Sequence, residues 1–156
     1  MMKNLIRVMM VLLSVGIAVR IKKRMFYRYL PVGLFSTILS FIRLFYMHHR
    51  GKLNFAGGAR EAFCTLLLAA FGPHLWFTLF TFDKSKGKLV NYTLLTTLLN
   101  TFYIFLIVNF MKKLRFVRLN LSLNTLFVIT MLHSYLNFFF QHFYERRLGR
   151  RPSVNK

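Results

Sequence analysis

Residues 119–141 read LNLSLNTLFVITMLHSYLNFFFQ. A helix of roughly 20 apolar residues crosses the hydrocarbon core of a bilayer, and this run is long enough to do so. It is not apolar all round. Thr130, His133, Ser134, Asn137 and Gln141 recur at helical spacing and form one stripe. Leu126, Phe127, Val128, Leu132, Leu136, Phe139 and Phe140 occupy the remaining surface. Lipid offers amide and imidazole groups no hydrogen bonds, so the stripe must face protein or trapped water. The helix therefore needs neighbours.

The chain supplies them. Residues 62–82 and 89–111 are apolar runs of spanning length without a charge until the turn between them, Asp83 to Lys88. Pro73 follows Gly72 near the middle of the first of these. Its missing N–H and its ring clash predict a kink there. His74 comes next and shares a face with Thr78 and Thr81. In the second, Thr93, Thr96, Thr97 and Asn100 line one face. Residues 29–47 open with Pro31, which suits a first turn, and carry Ser36, Ser40 and Arg43 on one face. Arg43 either snorkels to the headgroups or pairs with a carboxylate or a substrate. The run over residues 5–21 is shorter, and Arg7 and Arg20 bracket its apolar core. It suits a signal peptide, a short span or an interfacial helix, and its following basic cluster favours a membrane-attached segment.

The expected architecture is an all-α integral membrane bundle of four to five helices in one domain, ending in a basic tail over residues 144–156. Composition agrees. The 156 residues are 56% hydrophobic and 17% aromatic, and 23 Lys and Arg oppose three acids for a net charge of +20. The charges cluster between apolar runs instead of covering one face, which argues against a nucleic-acid partner and for anionic lipid headgroups. Basic residues divide almost evenly if all five runs cross. They favour the side of the N-terminal region, the Asp83 turn and the tail if the first does not. Either way the C-terminus is expected in the cytosol of a multi-pass plasma-membrane protein.

Motifs for soluble chemistry are missing. There is no Gly-rich phosphate loop, CxxC, HExxH or GxSxG. No catalytic, cofactor or metal residues are expected. The His48–His49 pair diverges around a helix and reads as surface, and the lone Cys64 reads as a buried hydrophobe. An intramembrane enzyme would use His74 or His133 as a base, with no acid in sequence to orient either.

Tyr29-Leu30-Pro31 opening a helix, a loop ending near Leu53-Asn54-Phe55, and three further hydrophobic helices give an order of parts running from Arg24 to Glu145. This order resembles that of small integral membrane proteins of spore-forming bacteria. The resemblance implies a bacterial plasma-membrane protein and brings no assigned activity.

The polar stripes are the usual glue between helices in lipid. They predict a shared polar interior lined by Ser40, Arg43, His74, Asn100, His133 and Asn137. The function they point to first is non-enzymatic association, with a second copy or a larger membrane partner. The alternative is a small transporter or proton-coupled permease using the kinked third helix.

Overall fold

The apolar runs 29–47, 62–82 and 89–111 form helical rods that outgrow them. The computed structural model describes residues 2–55 and 59–148, so the Gly57–Gly58 pair and the tail beyond Leu148 lie outside the described residues. The helices are α1 (Met2–Ala18), α2 (Lys23–His49), α3 (Ala59–Ala69), α4 (Leu75–Ser85), α5 (Leu89–Thr101), α6 (Asn109–Lys113) and α7 (Leu123–Arg147). A π-helical turn, Ala70–His74, joins α3 to α4, and a π-helical segment, Phe102–Val108, joins α5 to α6. Four rods are long and apolar enough to cross a membrane: Lys23–His49, Arg60–Ser85, Leu89–Lys113 and Leu123–Arg147. The fold is all-α apart from two three-residue strands.

The kink at Pro73 forms as its chemistry requires. Gly72 leaves helical geometry, with φ −86° and ψ −107°, and the ladder widens into the π turn. Pro31 behaves differently. The helix expected to open there begins at Lys23, so Pro31 lies inside α2. Lys23 and Arg24 extend the helix into the headgroup zone, and the carbonyl that Pro31 leaves unpaired is that of exposed Tyr27. At the start of α7, Ser122 Oγ accepts from the Thr125 N–H at 3.0 Å, so the helix begins at Leu123. The residues before it belong to a ladder. Strand β1 (Leu53–Phe55) pairs antiparallel with β2 (Val117–Leu119), Leu53 opposite Leu119 and Phe55 opposite Val117. The side-chain amide of Asn120 donates to Gly51 O at 2.9 Å and ties the two loops further.

The register of contacts sets the topology. Tyr29 stacks on Phe82, and Phe41 meets Phe63, so α2 runs antiparallel to the α3–α4 rod. Arg28 meets Glu145 and Arg43 meets Thr130, so α2 is also antiparallel to α7. Gly33 permits the close approach of α2 and α4, because a β-carbon there would lie 2.9 Å from Leu75 Cδ1. Helix α1 runs lengthwise beside α3. Arg7 donates to Thr65 Oγ1 at 3.0 Å, and farther along, a β-carbon on Gly72 would lie 3.1 Å from Ser14 Oγ. Its other face, including Leu5, Met9 and Leu12, points outward.

The core is layered in an order opposite to that of a water-soluble protein. One apolar cluster, built on Tyr29, Val32, Leu79, Phe82 and Tyr92, fills one end of the bundle. A second, with Met47, Ile104, Val108, Phe116 and Leu126, fills the end under the strands. Between them lie fully buried Ser36, Thr37 and Ser40. Outward-facing Leu94, Leu98, Leu132 and Phe139 are each at least 60% exposed, a surface suited to acyl chains.

Candidate functional site

Ser36 stands at the middle of α2, thirteen residues from each end, or about 20 Å at the helical rise. Its side chain is wholly enclosed. Four groups converge on its oxygen. His74 Nε2 lies at 2.9 Å, His133 Nε2 at 3.0 Å, the Asn137 amide Nδ2 at 2.8 Å and Thr78 Oγ1 at 3.3 Å. The two imidazole rings meet edge to face, centroids 5.2 Å apart.

Local sequence explains each placement. His74 closes the π turn, so the kink delivers it towards α2, one turn before Thr78 on the same face. His133 and Asn137 are four apart on α7, and both therefore face α2. The sequence-derived interior is thus brought together in part. His74, His133 and Asn137 meet at one point, while Ser40 and Arg43 lie farther along the same face of α2. Asn100 sits elsewhere. Its amide reaches Ser134 Oγ and Met131 Sδ, both at 3.4 Å, and joins α5 to α7 outside the cluster. Ser36 itself, part of the α2 stripe but not of the expected lining, is the centre.

Proton accounting constrains this centre. A serine hydroxyl has one proton and two lone pairs. Asn137 Nδ2 can only donate, and it takes one lone pair. Thr78 gives its proton to His74 O at 2.9 Å, so it offers Ser36 no donor. One lone pair and one proton remain for two imidazole nitrogens. The balanced arrangement is asymmetric: one histidine donates Nε2–H to Ser36, and the other accepts the serine proton at a bare Nε2. Two such arrangements exist, related by exchange of the histidines.

The polar face of α7 continues from this centre towards the C-terminal end. His133, Asn137, Gln141 and Glu145 follow at four-residue steps, all buried, about 6 Å apart along the axis. Glu145 Oε1 accepts from Gln141 Nε2 at 2.9 Å and from Arg28 Nε at 2.8 Å. This corrects one expectation: the basic tail does not begin at residue 144, because α7 runs on to Arg147. Glu145, one of the three acids, lies inside the bundle. The continuing i+4 repeat was the available signal. Asn137 Oδ1 and Gln141 Oε1 are buried with no hydrogen-bond partner among the described residues.

In the other direction the stripe passes Thr130 to Arg43, whose Nη1 lies 3.5 Å from Thr130 Oγ1. A polar column therefore runs between α2 and α7 from Thr130 to Glu145, sixteen residues of α7 and about 22 Å at the helical rise, set against a hydrocarbon core of roughly 30 Å. Cys64, expected to be buried, is exposed on α3. Among the described residues no cluster of three His, Cys, Asp or Glu could hold a metal ion. No protein-family model matches the chain, and no curated protein or solved structure shows significant similarity to it.

Proposed function

We propose that the protein is a small permease of a bacterial plasma membrane, its C-terminus cytosolic, that couples solute movement to a proton carried between His133 and His74. One observation carries this reading: both Nε2 atoms address the single oxygen of Ser36 at the midpoint of the helices. An ionisable pair at that depth costs too much to be retained as filler when an apolar contact would hold the helices equally well.

The transfer balances. With neutral His133 protonated at Nε2 and neutral His74 protonated at Nδ1, a proton arriving at His133 Nδ1 makes His133 an imidazolium. Its Nε2–H passes to Ser36 Oγ while the serine proton passes to His74 Nε2. His133 is left neutral, Ser36 is again a hydroxyl, and His74 carries the charge. Water bound at the Asn137 Oδ1 and Gln141 Oε1 acceptors would connect this pair to the Glu145 end. Attack by Ser36 on a substrate carbonyl suits the geometry less well. Its oxygen is enclosed and in contact with four neighbours, and no carboxylate orients either histidine.

The test is reconstitution in liposomes containing a pH-sensitive dye, with a panel of amino acids, carboxylic acids, sugars and cations presented under a pH gradient. A solute that the protein carries should move protons with it, and His74→Ala should reduce that movement to the level of empty vesicles. A wild-type protein inert across the whole panel defeats the proposal.

Association with a second copy or a larger membrane protein is the other reading, and half-buried Asn100 favours it. Its bonds to Met131 and Ser134 are long, and its position at the edge of the α5–α7 seam leaves it within reach of a neighbouring molecule. On this reading Asn100→Leu lowers the oligomer size measured by light scattering in detergent. An unchanged size removes it.

A further inference from the structure

We infer that Arg43, together with Thr130, seats an anionic group, a carboxylate or a phosphate, at the end of the polar column nearest the strands. Three observations carry this. Arg43 lies six residues inside the end of α2 and turns into the bundle towards α7. Its Nε is buried and has no hydrogen-bond partner among the described residues, whereas a snorkelling arginine would wet that atom in the headgroup zone. Finally, among the described residues no carboxylate pairs with it: Glu145 is held by Arg28 and Glu61 stands 3.8 Å from Arg7.

A guanidinium keeps its charge at any accessible pH and presents five N–H donors in a planar fork. Among the described residues the fork makes one hydrogen bond, a long one to the Thr130 oxygen, which itself donates to Leu126 O at 2.8 Å and can only accept from Arg43. An intramembrane cation whose buried Nε–H is unspent is stabilised by an anion, and a bidentate oxyanion matches the fork. Thr130 lies one turn of α7 from His133, so an anion seated here would stand next to the proton relay. The consequence for transport, that the solute is anionic, rests on the permease reading. The binding itself does not. The oxyanion has two sources, a soluble anion or a lipid phosphate.

The experiment uses the full chain in nonionic detergent and follows its thermal unfolding midpoint. Sodium acetate and sodium phosphate are titrated against sodium chloride at matched ionic strength, and phosphatidylglycerol is added to the micelles against an uncharged glycolipid. One arm should raise the midpoint saturably, the soluble arm marking a solute and the lipid arm a headgroup. Arg43→Gln should abolish the rise, while Arg118→Gln, exposed at the same end of the molecule, should keep it. If Arg43→Gln does not fold, Arg43→Lys serves. It should weaken the anion about tenfold, the loss of one charge-assisted hydrogen bond. No rise in either arm for the wild type, a rise retained in Arg43→Gln, or an undiminished affinity in Arg43→Lys overturns the inference. His74→Ala should bind the anion as the wild type does, so failure of the relay and failure of this site are read separately.

Discussion

Ser36→Ala should reduce proton movement in liposomes by about a hundredfold, the usual worth of a positioned proton-transfer group, while leaving the chain folded. The substitution removes the oxygen that both imidazole Nε2 atoms address. It also strands the Asn137 amide and two Nε2 atoms in an enclosed space. In lipid such bonds are worth a fraction of a kilocalorie to nearly two each, so the expected loss of stability is about 1–2 kcal/mol. That is too small to unfold a four-rod bundle and too large to miss in denaturant. Ser36→Cys separates the two effects. The thiol fits the space and keeps the packing, but it is a weak donor and a weak acceptor. It should restore stability to near the wild-type value and leave proton movement impaired. Proton movement intact in both variants would mean that the histidines are structural, each satisfied by a neighbour other than Ser36.

The class of this protein was legible because it follows from solvent chemistry alone. Long uncharged runs with basic ends have one stable disposition, and polar residues at helical spacing within them must turn inward. The kink was legible too, since Pro73 acts on its own covalent neighbourhood. Depth and partner were not. Periodicity places Ser36, Ser40 and Arg43 on one face of α2, yet it cannot say that Ser36 alone is level with His74 and His133. For the same reason Asn100 and Asn137 look alike in the chain, although one bridges α5 to α7 and the other completes the centre. The π segment Phe102–Val108 contains neither Pro nor Gly, so no local residue announces it. The strands, three residues each, are too short to show alternation, and β2 carries Arg118 at its centre. Glu145 escaped notice for a more instructive reason. The apolar run stops near Gln141, and composition changes from oily to basic there, but the helix and its polar face continue for another turn and more.

That last turn yields the second large effect. Glu145→Leu should destabilise the protein by about 1–3 kcal/mol, and Arg28→Leu combined with it should recover most of the loss. The carboxylate side chain is 8% exposed and Arg28 24% exposed, so the pair is more than a surface contact, although water still reaches the guanidinium and lowers its worth below that of a fully enclosed pair. Removing Glu145 alone leaves a permanent cation against α7 and deprives the Gln141 amide of its acceptor. Removing both partners leaves two leucines beside an apolar cluster that holds Tyr29, Phe82 and Tyr92, so no charge is stranded. The order of the two single variants carries the argument further. Arg28→Leu alone leaves the carboxylate still accepting from Gln141 Nε2; Glu145→Leu strands both the guanidinium and the Gln141 amide. Glu145→Leu should therefore be the more damaging single change, by denaturant midpoint in detergent at neutral pH. Were the two equal and additive in the double variant, the pair would be uncoupled, and the polar column would end at Gln141.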